Sequence, residues 1–141
     1  MNEPLDTEQL EQKYPLCFKH PGTCMWGVDC QSGWNQLLHD LLGKLEAHLS
    51  ANQDKFINCE FPFRIDQIKE KFGTLRFYVG GEIDDTMWQF IDCAEKESAH
   101  VCEVCGKPGR LHSAKGSFWV KTLCLDCAKD RYIPYDRNEM V

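Results

Sequence analysis

The sequence predicts an α+β fold in which a helix-and-hairpin body carries a small cysteine-cornered module at its C-terminal end. Three observations predict it. Leucines recur at helical spacing between Trp34 and Leu49. Two runs of alternating apolar residues flank Gly73. Two Cys-x-x-Cys pairs, Cys102/Cys105 and Cys124/Cys127, stand 18 residues apart. The chain has 141 residues, enough for one compact core and a small module. The same signals divide it into a body over 1–101, the module over 102–134 and a tail over 135–141. No repeat, low-complexity tract or flexible linker lies between body and module. The module is therefore expected to dock, with Phe118 and Trp119 as its docking side chains.

Asp6 or Thr7 can cap a first helix running through Leu10 to about Tyr14, where Pro15 ends it. Residues 15–33 hold Pro15, Pro21, Gly22, Gly27 and Gly33 and are expected to be loop. Ser32 can cap the next helix. Its Trp34, Leu37, Leu38, Leu41, Leu42, Leu45 and Leu49 form a stripe most simply read as core. His39 and His48 sit on or beside that stripe and are expected as satisfied helix histidines rather than metal ligands or catalytic bases. Phe61, Phe63 and Ile65 alternate, as do Leu75, Phe77 and Val79, so two strands joined near Gly73 form a hairpin. A short helix over 64–72 is the alternative. Gly80-Gly81 ends the second strand. A helix from about Asp84 to Ser98 follows, with Met87, Phe90, Ile91 and Ala94 inward and Asp84 and Asp85 at its positive end. Cys59 and Cys93 are expected as small core hydrophobes.

Two Cys-x-x-Cys turns at this distance can aim four thiolates at one point, as tetrahedral Zn²⁺ requires. Gly106 follows the first pair, as a tight knuckle needs. Gly109 and Gly116 bracket a hairpin, Ser117–Leu123 reads as the strand entering the second pair, and Leu125–Tyr132 as a helix stopped at Pro134. Knuckle, hairpin and ligand-bearing helix make a treble clef. One structural Zn²⁺ is expected, because four thiolates leave no open position for water. Cys17, His20, Cys24 and Cys30 fall within one irregular loop and could ligate a second Zn²⁺. Their spacing matches no common signature, and thiols beside a surface histidine remain the other reading.

Catalytic patterns are sparse. Cys30 precedes a helix N-terminus, which would lower its pKa, yet no histidine is paired with it by sequence. His100 and His112 lack the His/Asn pattern of metal nucleases built on treble clefs. No Walker loop, dinucleotide fingerprint or His-Glu-x-x-His helix is present. A non-enzymatic protein is therefore expected, with a metal- or cysteine-dependent enzyme as the least favoured alternative.

Charge is uneven. Residues 1–101 carry 9 Lys/Arg and 17 Asp/Glu, a net of −8, against +3 for residues 102–131. Glu82, Asp84, Asp85, Asp92, Glu95 and Glu97 cluster, and either coat a solvated helix face or meet a basic groove on a protein partner. Lys107, Arg110, Lys115, Lys121, Lys129 and Arg131 surround the cysteines. They make a nucleic-acid-binding zinc protein the first alternative, although the overall charge of −6 disfavours free nucleic acid as partner. Residues 1–11 are polar and acidic, no apolar run of about 18 residues occurs, and nine cysteines suit a reducing cytosol. Neither leader nor membrane association is expected.

Three stretches carry a resemblance: Cys30-Gln-Ser-Gly-Trp34, Ile68-Lys-Glu-Lys-Phe-Gly-Thr-Leu-Arg-Phe-Tyr78, and Ser98 through Gly106 followed by Thr122-Leu-Cys124. Over residues 14–127 the chain resembles a family of small, mostly uncharacterised zinc-binding proteins of bacteriophages and prophages. The resemblance implies an accessory protein made in a bacterial cytosol. By analogy with anti-CRISPR proteins, it implies one that binds and inhibits a host or defence nucleic-acid enzyme, such as a CRISPR nuclease. It brings no catalytic residues with it.

Overall fold

The computed structural model describes residues 3–135. Asp6 caps α1 (Thr7–Lys13) by accepting from Glu8 N, and the helix stops at Tyr14 before Pro15. The loop that follows contributes the two-residue strand β1 (Val28–Asp29). It is held to the body by polar contacts: the Glu46 carboxylate accepts from the backbone N–H of Leu16 and Cys17, and Cys24 N donates to Ile65 O. The expected helix begins later than its sequence cap. A 3-10 turn spans Ser32–Trp34, and α2 runs Asn35–Ala51 with no side-chain cap. The turn is held from outside instead: Gln31 N and Gly33 N both donate to Glu103.

α2 buries Leu37, Leu38, Leu41, Leu42, Leu45 and Leu49, the stripe expected from their spacing. Each fully buried leucine contributes about 1.5–3 kcal/mol. The single turn α3 (Gln53–Phe56) adds Phe56 to the same core. Residues 64–71 resolve as strand, and Phe72 opens the turn at φ +53°. β2 (Arg64–Lys71) pairs antiparallel with β3 (Thr74–Gly80) and parallel with β1. A register shift between Ile65 and Gln67 breaks strict alternation, so Ile65 and Ile68, three apart, both reach the core.

α4 (Asp85–Ser98) is capped by Asp84, packs against α2 and β3, and buries Met87, Ile91 and Ala94. It also covers the free edge of β3: Leu75 N donates to Ser98 Oγ and Phe77 N to Glu95. An otherwise open row of strand N–H groups is thereby satisfied by side chains. The helix histidines are satisfied as expected. His39 Nδ1 meets Tyr14 Oη at 2.8 Å, and His48 Nε2 meets Asp84 at 2.8 Å. Cys93, expected inside, is exposed on α4, and Cys59 is half-buried, because neither falls on an inward face.

The second sheet has order β5-β4-β6, from β4 (Arg110–Ala114), β5 (Val120–Leu123) and β6 (Tyr132–Pro134). The helix expected to reach Tyr132 is one turn only, α5 (Leu125–Ala128). Lys129 takes φ +50° and ends it, which frees Tyr132–Pro134 to pair with β4. Apart from Tyr135, the tail over 135–141 lies outside the described residues.

Docking of this unit on the body overturns one expectation. Phe118 and Trp119 are 91% and 60% exposed and are not buried in it, although the Lys121 ammonium lies 5.8 Å from the centre of the Trp119 ring. The seam is made of backbone and polar groups. Gly33 N donates to Glu103 O (2.7 Å), Trp34 Nε1 to Val101 O (2.8 Å) and Thr122 Oγ1 to Gly73 O (2.6 Å). Lys121 Nζ reaches Glu70 Oε1 at 3.0 Å and Glu103 Oε1 at 3.3 Å. The other oxygens of those carboxylates accept from Gly73 N and Gln31 N. Burial opposes charge on Lys121, but the Glu70 hydrogen bond and the two carboxylates outweigh it and raise its pKa.

Two substitutions test the seam. A Cβ on Gly33 would overlap the carbonyls of Cys102 and Glu103. Gly33→Ala is expected to cost at least about 1–3 kcal/mol in denaturant unfolding. Lys121→Met should cost about 3–5 kcal/mol by the same measurement, because it leaves Glu70 and the 1% exposed Glu103 without their cation. A Lys121→Met protein as stable as wild type would contradict this account of the seam.

Candidate metal centre

Cys102 and Cys105 sit on a tight turn closed by a bridge between Val101 and Pro108. Cys102 N donates to Lys107 O, Gly106 N donates back to Cys102 O, and Gly106 takes φ +83°. This is the left-handed conformation that a residue without a Cβ adopts freely. β5 delivers Cys124, which caps α5, its Sγ accepting from Cys127 N at 3.4 Å. Cys127 follows on the first turn of α5. A knuckle on one side and a helix start on the other thus bring the two pairs face to face.

The four Sγ atoms all lie within 4.8 Å of one another, and Cys105 and Cys124 are 3.6 Å apart. With metal–sulfur bonds of about 2.3 Å, a tetrahedron has sulfur–sulfur edges of about 3.8 Å. Size and chemistry of the donor set both fit, so Cys102, Cys105, Cys124 and Cys127 could hold a metal ion such as zinc. No disulfide competes, since all nine cysteines are free thiols. Cys102 is fully buried, and the other three are half-buried.

As bare thiols the four cannot all ionise. The Cys127 N–H favours thiolate at Cys124, whose pKa drops to about 7. Burial, followed by the neighbouring sulfurs, pushes Cys127 well up. At Cys105 the Lys107 N–H favours thiolate, but burial and the neighbouring thiols outweigh it and raise the pKa. A divalent cation removes the conflict by making thiolate the preferred form at every position.

The second set that the sequence allowed, Cys17, His20, Cys24 and Cys30, is not assembled. Among the described residues no other group of three or more His, Cys, Asp or Glu donors converges. Cys17 Sγ donates to Leu42 O, Cys24 Sγ to Gly27 O, and His20 Nδ1 contacts Pro21 O. Each is absorbed locally as the loop packs on α2 and β2. Cys30 departs from the expected low pKa: burial, then the charges of Glu103, Asp29 and Glu70, push it up to about 12. A thiol so protonated is a poor nucleophile.

The acidic cluster divides in two. Asp84 caps α4 and pairs with His48, and Glu95 binds the edge of β3. Glu82, Asp85, Asp92 and Glu97 are exposed, Asp92 with Lys96 at 2.9 Å. The cations divide likewise. Lys121 is locked in the seam, while Lys107, Arg110, Lys115, Lys129 and Arg131 are exposed.

Sequence reasoning missed Glu103 and Gly33. The one sequence signal pointing to Glu103 was a carboxylate placed inside the knuckle between two thiolate positions, where a counter-charge is needed. His112 was noted only for lacking a nuclease pattern. It is 1% exposed, and its Nδ1 lies 2.9 Å from Arg110 O. No helix is long and apolar enough to cross a membrane among the described residues. No family model, curated protein or solved structure matches the chain.

Elemental analysis should find one tightly held metal ion per chain, lost in Cys105→Ser and retained in Cys24→Ser. Cys105→Ser should also lose a large part of the folding free energy, since structural zinc in small domains contributes on the order of 10 kcal/mol. Affinity should fall as pH falls, because protons compete for the thiolates. A fully metal-free wild type, equally stable with and without chelator, would refute the site.

Proposed function

We propose that the chain is a non-enzymatic accessory protein of the phage type, which binds and inhibits a host or defence nucleic-acid enzyme in a bacterial cytosol through protein–protein contacts. In this reading the four cysteines hold one structural Zn²⁺ in a treble clef. The knuckle before a hairpin and the ligand-capped turn of α5 are the parts such a module needs. The closed donor set supports a structural ion, because four protein thiolates leave no position for substrate. The raised pKa of Cys30 supports the non-enzymatic side.

The observation that carries the partner reading is one exposed stripe of α4. Asp85, Trp88 and Asp92 follow each other at three- and four-residue spacing, with Glu82 before them and Trp88 49% exposed. A large exposed aromatic ring set among carboxylates has the form of an interface anchor with charged surroundings. A basic protein groove, such as one that normally holds nucleic acid, is its complement.

The test is capture of a partner from nuclease-treated bacterial lysate, followed by kinetics with the purified pair. Reversing Glu82, Asp85 and Asp92 to lysine should slow association and flatten its salt dependence. Trp88→Ala should mainly speed dissociation. Unchanged kinetics in both variants would remove this face from the interface.

A further inference from the structure

Five exposed rings form a band from the acidic helix face to the module. Where α4 crosses β3, Trp88, Tyr78 and Phe72 line one hollow. Phe72 also lines two hollows at the joint, both with Phe118 and one with Trp119. The β2–β3 and β4–β5 turns enclose this aromatic groove because Gly73 docks on the module: Thr122 bonds its carbonyl, and a Cβ at Gly73 would meet Leu111 and Val120. Trp88 is 49%, Tyr78 42%, Phe72 65%, Phe118 91% and Trp119 60% exposed. With about 150–250 Å² per ring, these fractions leave roughly 500–750 Å² of aromatic surface open. That is at or above the largest apolar patch of an ordinary monomer and close to the roughly 800 Å² that one side of a standard interface buries.

The band is balanced in charge at its middle and opposite in charge at its ends. Lys71 and Arg76 line the same hollow as Asp92 and Glu95, so the middle offers no net charge to an ionic ligand. Lys71 and Lys121 lie over the Phe72 and Trp119 rings. One end is acidic, with Glu82 and Asp85 exposed at the start of α4. Arg64, which stands over Gly80 at that end, is already paired with Asp66. The other end is basic. Lys115 is exposed in the turn that carries Phe118, and its N–H donates to the carbonyl of the exposed Arg131 at 3.0 Å. The neighbouring Lys129 and Asp130 offset each other. Glu82, Asp85, Lys115 and Arg131 make no ion pair among the described residues.

We propose that this band is a self-association face, on which a second copy of the chain docks about a two-fold axis near Phe72. A two-fold contact sets each patch of one copy against its counterpart in reverse order. The acidic end of each copy then meets the basic end of the other, and the rings cover one another between them. A nucleic-acid strand would find no net positive charge along the middle. A wholly apolar partner would leave both charged ends uncompensated. The inference does not rest on capture of a host partner by α4, since it is read with this protein alone. The dimer covers Trp88, so a partner seated on α4 takes the place of the second copy.

The test is sedimentation equilibrium of the full-length, metal-loaded protein over a concentration series reaching about 1 mM. The mass should rise from 16.3 kDa toward twice that value and stop there. Phe118→Ala with Trp119→Ala should weaken the dimer tenfold or more. Two charge variants test the two-fold arrangement: Glu82→Lys with Asp85→Lys, and Lys115→Glu with Arg131→Glu. Each alone sets like charges against each other at both ends and should dimerise at least tenfold more weakly. An equimolar mixture of the two sets opposite charges together again at both ends and should restore wild-type affinity. All these positions are exposed, and unchanged metal content with a cooperative melting transition confirms the fold. Four results would overturn the proposal: a monomer throughout the series, a mass that climbs past the dimer, full dimerisation of the Phe118/Trp119 variant, or a mixture as weak as its components.

Discussion

The rest of the structure depends on the grip of residues 31–34 on the cysteine knuckle. Gly33 N meets Glu103 O, Gln31 N meets the Glu103 carboxylate, and Trp34 Nε1 meets Val101 O. Contact this close requires glycine at position 33, because any side chain would occupy the space of the knuckle carbonyls. From this point α2 leaves in one direction to build the leucine core, and the knuckle leaves in the other to build the four-cysteine site. The same few residues therefore anchor both halves.

The seam is polar where a core would be apolar. Its ion triad, Glu70–Lys121–Glu103, joins the β2–β3 hairpin to the knuckle through β5. A buried triad adds little net stability compared with apolar packing, but it tolerates only one geometry. Disorder at the knuckle would displace Glu103 and leave Lys121 and Glu70 mismatched. Loss of a metal ion from the four cysteines would then be felt in the body as well as in the module, since metal binding and folding are linked.

That linkage bears on the surfaces. The aromatic groove exists only while the two turns face each other, and the seam sets their relative position. The acidic stripe of α4 depends on the body instead, through Asp84, Glu95 and the buried side of the helix. One chain thus presents an anionic face on a helix of the body and exposed aromatic rings, Phe72, Phe118 and Trp119, at the joint between its two sheets.

Much of this was legible in the sequence, for identifiable reasons. The Leu37–Leu49 stripe, the Asp6 and Asp84 caps, the hairpin around Gly73 and the convergence of Cys102, Cys105, Cys124 and Cys127 all follow from local periodicity or fixed ligand spacing, which neighbours in sequence suffice to express. What required tertiary structure was every partnership between distant residues. Gln31–Trp34 looked like a helix start because its real partner lies some 70 positions away. Lys121 looked like a free surface cation, and Phe118 and Trp119 looked like docking groups, because hydrophobicity alone cannot say that a seam is made of backbone and ion pairs. Asp84 and Glu95 counted as surface charge until α4 was laid against α2 and the edge of β3. The short α5 followed from competition: pairing of Tyr132–Pro134 with β4 and the left-handed turn at Lys129 prevailed over local helix propensity, a balance that only the assembled sheet decides.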